Sequence, residues 1–195
     1  MKRLFDILAA GFGLLLLAPL FLILALAIVL ESKGGVFYRQ QRVGKDQQLF
    51  WLYKFRSMRP ASDRAGLLTV GARDNRITRV GYVIRKYKLD ELPQLINILK
   101  GEMSVVGPRP EVPKYVALYK EQQLKALTVR PGLTDLASLQ YFQEAELLAQ
   151  SPNPEKTYIE EILPAKLELN LEYIERQSFG FDLQIIGKTL LKIFH

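Results

Sequence analysis

Two adjacent carboxylates, Asp90 and Glu91, follow a cationic run formed by Arg85, Lys86 and Lys88. Ionised carboxylates in that setting can ligate a hard divalent cation or act as a nucleophile, while the cations hold phosphate beside them. The plainer reading is helix capping, with the pair meeting the positive end of a helix dipole. Ser104 to Glu111 reads SVVGPRPE. Prolines on both sides of Arg109 restrict its backbone and aim its guanidinium, a planar fork suited to phosphate; a rigid turn with an exposed arginine is the simpler account. Tyr53 to Arg59 reads YKFRSMR. On a strand, Lys54 and Arg56 share one face and Phe55 takes the other. That pattern also fits an ordinary half-buried strand, and weakly a single-stranded nucleic-acid surface, although no recognisable nucleic-acid module accompanies it. Arg130 to Asp135, RPGLTD, reads only as a turn.

The residue types that are missing narrow the chemistry. The 195-residue chain has no cysteine, and its only histidine is His195. Disulfide scaffolds, thiolate metal sites and cysteine nucleophiles are excluded, and histidine-based triads or metal clusters have no residues to build them. Catalysis would rest on carboxylates, Lys/Arg, hydroxyls and a hard metal ion. The net charge of +7 favours anionic partners, and it is unevenly spread. Residues 33–88 hold 14 Lys/Arg against 3 Asp/Glu, whereas residues 140–182 hold 3 against 9.

The elements that must position these residues read as a helix-rich mixed α/β protein. Residues 36–44 and 49–55 form two strands around a turn containing Lys45 and Asp46. Residues 60–76 read as a polar loop and 77–86 as a short helix. Leu92, Leu95, Ile96 and Leu99 make one apolar stripe, so a helix over 91–100 is expected, with Asp90 as N-cap, Pro93 in the first turn and Gly101 as the stop. Further helices are expected over 112–126 and 164–176. Residues 182–194 form an amphipathic helix that packs on the core or lies on a membrane surface.

From Ile7 to Leu30 there are 24 residues without a charge, long enough to cross a bilayer as a helix. A signal peptide, a single span and a re-entrant helix compete. Basic residues flank both ends, Lys2 and Arg3 before, Lys33, Arg39, Arg42 and Lys45 after. Pro19 sits mid-run behind Ala18, where a break is expected. A re-entrant helix broken near Pro19 satisfies the positive-inside preference at both ends, and is favoured over a span. The organisation expected is a membrane-inserted segment, 1–33, and a second domain, 34–195.

The order of these pieces resembles the bacterial sugar transferase family, the small monotopic polyprenyl-phosphate phosphoglycosyl transferases. The likeness rests on the apolar segment with a central proline, YKFRSM at 53–58, the run from Arg76 to Glu111 containing LDELPQL and SVVGPRP, and RPGLT at 130–134. The resemblance implies transfer of a sugar 1-phosphate from a UDP-sugar to polyprenyl (undecaprenyl) phosphate, with release of UMP, dependence on Mg²⁺, and a site on the cytoplasmic face of the bacterial inner membrane. It implies Asp90 as nucleophile forming a covalent phosphosugar, and Glu91 as metal ligand with Asp90 beside it. It also implies phosphate or nucleotide contacts from Arg85, Arg109 and the basic strand residues Lys54 and Arg56. Two departures stand out: Ala18 replaces the serine usual before the proline, and the run after Thr134 begins with Asp135. Membrane lipid is an implied partner, nucleic acid is not, and self-association stays open. A membrane-anchored basic protein binding nucleic acid or anionic lipid is the alternative from another class. The sugar and the role of residues 140–182 are not legible.

Overall fold

A computed structural model describes residues 1–62, 66–71 and 74–194, apart from the side chain of Phe194. The polar loop expected over 60–76 therefore falls partly outside the described residues, as does His195. The first helix, α1, runs Lys2–Glu31 without interruption. Helical structure continues through Pro19, so a bend there would be a kink within one helix and not a gap between two. Ala18 and Pro19 lie on the exposed face, turned away from the rest of the protein. The carbonyl that loses its partner to Pro19 belongs to Leu15, itself 78 % exposed, so no packing is disturbed.

Strands β1 (Phe37–Val43) and β2 (Leu49–Phe55) form an antiparallel hairpin, in register from Phe37 opposite Phe55 to Val43 opposite Leu49. The turn carries Asp46 and Gln47 at positive φ. Helix α2 covers Arg79–Lys86, and α3 covers Gln94–Lys100 and ends at Gly101 with φ 86°, as the glycine stop requires. β3 (Ser104–Val106) pairs in parallel with β4 (Gly132–Thr134). Short helices α4 (Pro113–Val116), α5 (Leu136–Gln140), α6 (Glu144–Ala149) and α7 (Pro154–Thr157) lead through a π-turn, Tyr158–Ile162, into α8 (Leu163–Arg176) and α9 (Phe179–Phe194). The single helix expected over 112–126 is instead α4 followed by a 3₁₀ segment, Glu121–Leu127. Apolar spacing stops at Tyr119, and the polar run Lys120–Gln123 has no face to bury.

Helix α1 is packed along its length. Ala10 and Leu14 lie with Phe50, Leu52, Leu95, Ile98 and Met103, while Leu20, Phe21, Leu24 and Ile28 lie with Phe55 and Ile84. Polar contacts tie down both ends. Arg3 donates to the carbonyls of Ile98 (2.7 Å) and Leu99 (3.0 Å), covering the open end of α3. Asp6, 2 % exposed, accepts from Ser104 Oγ (3.0 Å) and Val105 N–H (2.9 Å), and Lys2 pairs with Asp182 on α9. At the other end, the Glu31 carboxylate accepts the N–H groups of Arg79 and Val80, capping α2 alongside Thr78. The face of α1 away from these contacts exposes Leu8, Phe12, Leu15, Leu16, Leu22 and Ile23, and α9 exposes Leu183, Leu190 and Leu191. Phe5 of α1 meets Phe179 of α9 edge-on at 5.3 Å, so the two apolar surfaces adjoin. α1 is long and apolar enough to cross a membrane. So large an exposed apolar surface fits a membrane-associated protein.

Candidate active site

Lys88 adopts a left-handed conformation (φ 55°), which ends α2 and turns the chain into a 3₁₀ turn, Leu89–Glu91. Asp90 and Glu91 sit in this turn, 4 % and 8 % exposed. The expected helix N-cap is corrected. α3 starts three residues later, behind Pro93, so the dipole does not set the charge on Asp90 and Glu91. Cations from other elements do.

Glu91 receives most of them. Arg109 donates to both carboxylate oxygens, Nη1 to Oε2 at 3.1 Å and Nη2 to Oε1, and Lys54 Nζ reaches Oε1 at 3.0 Å. Burial alone would raise the carboxyl's pKa, but Arg109 and Lys54 overcome it and hold Glu91 well below the ordinary range. Asp90 is the opposite case. Among the described residues nothing hydrogen-bonds its carboxylate, and burial pushes its pKa up, only partly offset by Lys54. Burial likewise draws the Lys54 ammonium down, with the Glu91 charge resisting.

The scaffold behind this arrangement is specific. Asn97, fully buried on α3, accepts from Tyr53 N–H (3.1 Å) and donates to the Trp51 carbonyl (2.7 Å), fixing β2, and so Lys54, against the helix that follows Glu91. Arg109 follows β3. There Gly107 and Gly132 approach so closely that a Cβ on Gly132 would lie 2.1 Å from Gly107 N. Asp135, fully buried, accepts from Arg109 N–H (3.0 Å) and from Ser138 N–H (2.7 Å), so it caps α5 and anchors the arginine backbone together.

A cavity of about 770 Å³ opens over these groups. Arg85 and Lys88 line it beside Asp90; Arg85 bonds Thr69 Oγ1 at 3.0 Å, and the Lys88 ammonium lies 4.9 Å from the centre of the Phe142 ring. Its apolar side includes Leu17 of α1 and Ile186, Leu190 and Ile193 of α9. Arg56 does not join the charged group. β2 ends at Phe55, and the Arg56 guanidinium turns to the carbonyls of Lys33 (2.6 Å) and Ser32 (2.8 Å), with longer contacts to Ile28 and Gly34. It caps the C-terminus of α1, and the same residue lines the cavity. Asn97, Asp135 and Asp6 build this scaffold through partners 26 to 99 residues away, which no local pattern reveals, beside the local bonds of Asn97 to Glu102 and of Asp135 to Ser138.

The fold and site thus define a class: an α/β protein with an apolar helix, built around an anion-attracting cavity that contains paired carboxylates. Comparison with known proteins supplies the family. The family described as bacterial sugar transferase matches residues 1–195, and the chain belongs to it. A UDP-N-acetylgalactosamine-undecaprenyl-phosphate N-acetylgalactosaminephosphotransferase of Aeromonas hydrophila is 40 % identical over 98 % of this chain, which spans 43 % of that relative's length. The sugar transferase EpsL of Bacillus subtilis is 38 % identical over 99 % of this chain and 87 % of its own length. A UDP-glucose:undecaprenyl-phosphate glucose-1-phosphate transferase of Caulobacter vibrioides is 35 % identical, over 97 % of this chain and 68 % of its own.

Proposed function

We propose that this chain transfers a sugar 1-phosphate from a UDP-sugar to polyprenyl phosphate through a covalent intermediate on Asp90. The observation that carries the reading is the contrast within one turn: Glu91 is held by Arg109 and Lys54, whereas the buried Asp90 carboxylate faces the cavity with its lone pairs unshared. In the first step an Asp90 oxygen bonds to the phosphorus that bears the sugar, and the bond from that phosphorus to the oxygen of UMP breaks. In the second, a phosphate oxygen of the lipid attacks the same phosphorus, and the bond to Asp90 breaks. The carboxylate is regenerated and a polyprenyl diphosphosugar leaves. Arg109, Arg85, Lys54 and Lys88 offset the negative charge that would otherwise repel an anionic nucleophile.

The donor set also fits a magnesium ion. Among the described residues no group of three or more acidic or histidine side chains gathers to cage one. Asp90, however, keeps every lone pair, and Glu91 uses three of roughly four acceptor sites. Such a pair suits an ion that takes one or two carboxylates and completes its shell with substrate phosphate and water. When bound, it would neutralise charge on the transferring phosphate.

The apolar wall formed by Leu17, Ile186, Leu190 and Ile193 offers a place for the first isoprene units of the acceptor. The helix α1 is read as re-entrant, with the catalytic domain on the cytoplasmic face of the bacterial inner membrane. Contacts at Lys2, Arg3 and Asp6 and at Glu31 bind both its ends to the same domain, which a straight span would separate. The chain has no cysteine, so single cysteines at positions 2 and 33 should both label from the cytoplasm; labelling from opposite sides would establish a span. The alternative, a basic protein binding nucleic acid or anionic lipid, finds no support. Arg42, Lys54, Arg56 and Arg76 of the basic block are engaged by protein groups. Incubation of purified protein with UDP-sugar and Mg²⁺ should release UMP and add a phosphosugar to the peptide containing Asp90. Unmodified peptide under turnover would overturn the intermediate.

A further inference from the structure

The cavity has a second polar end, built from the acidic 140–182 stretch. Glu144 at the start of α6 pairs with Lys166 of α8 at 2.7 Å, and the Lys166 ammonium lies 5.4 Å from the centre of the Tyr158 ring. Tyr158 sits on the π-turn and donates its hydroxyl to Glu111, which also accepts from Arg42 (3.1 Å) and Val112 N–H (2.7 Å). All these side chains line the one cavity. Glu111 is held by three partners and acts as frame. Burial drives the Tyr158 pKa far up, and the Glu111 charge adds to this, so the hydroxyl stays protonated as a donor. The pair above it is not saturated. Among the described residues, Glu144 Oε1 accepts nothing, and Lys166 has two of its three N–H groups unused.

We infer that this end is a carbohydrate-ring subsite, in which Glu144 and Lys166 bind hydroxyls of the nucleotide sugar. The inference rests on the transfer reading above. Charge sorts the two ends. At the Asp90 end four cations face two carboxylates, which draws phosphate. At this end Arg42 and Lys166 balance Glu111 and Glu144, so there is no net charge to hold an anion. What it offers is a spare carboxylate acceptor beside spare ammonium donors, the complement of neighbouring hydroxyls, each of which donates and accepts. Glu111 follows Arg109, which bonds Glu91, by two residues, and Asp90, Glu111, Glu144 and Lys166 line the same cavity, so one nucleotide sugar can meet both ends. The ring could be the hexose or the ribose of the donor, and the two separate experimentally.

The full chain in detergent is assayed for binding and turnover of UDP-glucose, UDP-galactose and their N-acetylamino counterparts, and for inhibition by UMP. Wild type is compared with Glu144→Gln and Lys166→Met. A hexose subsite predicts a roughly 10- to 100-fold fall in kcat/KM for the preferred sugar. The order of preference among sugars should change, while UMP inhibits as before. A ribose subsite predicts equal losses for all sugars and a parallel weakening of UMP. Unchanged kcat/KM, sugar order and UMP inhibition in both variants would overturn the subsite. If either variant does not fold, Glu144→Asp and Lys166→Arg keep the charges and must still shift the sugar order. Wild type that binds UDP-sugars without releasing UMP would overturn the transfer reading. The binding affinities of the variants then decide the subsite independently.

Discussion

The two ends of the cavity come from different parts of the chain and solve different problems. The Asp90 end is assembled from β2, the 3₁₀ turn and the segment after β3, and it concentrates cations around one engaged and one unengaged carboxylate. The Glu144 end is assembled from α6, the π-turn and α8, and it is charge-balanced. Burial alone does not tell them apart. What differs is whether each charge is cancelled locally or left for a ligand to cancel.

That difference can be broken in graded steps. Asp90→Asn removes the candidate nucleophile at almost constant volume. UMP release should fall by about 10⁴-fold or more and the covalent adduct should vanish, with the fold retained by circular dichroism. Arg109→Ala should cost roughly 10²- to 10³-fold in kcat/KM, because it removes positive charge where negative charge develops and also releases Glu91. Arg56→Met should behave oppositely. Its guanidinium serves the end of α1, so thermal unfolding should reveal a loss of about 1–3 kcal/mol, while KM for the UDP-sugar in the folded protein stays put. Lys54→Met should sharpen the electrostatic side. The Asp90 carboxyl already titrates above the ordinary aspartate range because it is buried, so activity should decline on the acid side at a pH above that range. Lys54 favours the ionised form; without it the pKa rises further and the acid limb of the kcat/KM profile should move to higher pH. Glu31→Ala, the smallest change, should lower stability by about 1 kcal/mol through the lost cap on α2.

Much of this architecture was readable from local chemistry. The β2 boundaries and the glycine stop after α3 follow from short-range rules that tertiary structure did not override. Asp90 and Glu91 are conspicuous as a pair, but their setting is not legible. A left-handed Lys88 delays α3, and nothing in the apolar stripe reveals a backbone conformation at a lysine. Lys54 and Arg56 share a face only if the strand continues past Phe55; it stops there, and the two cations part. The Glu144 end was invisible for a different reason. Its pairings join residues 22 to 69 positions apart, and a run of acidic residues looks the same whether it is solvated or folded over a cavity.

The stitching of α1 at both ends has a practical corollary. Deleting the first 33 residues in search of a tractable soluble version would uncover Phe55, Leu95 and Ile98, leave the first N–H groups of α2 without Glu31, and strip Ser104 and Val105 of Asp6. The strand that delivers Arg109 would lose its brace at the same stroke. In this protein the greasy helix is masonry, and a preparation that discards it should yield aggregate.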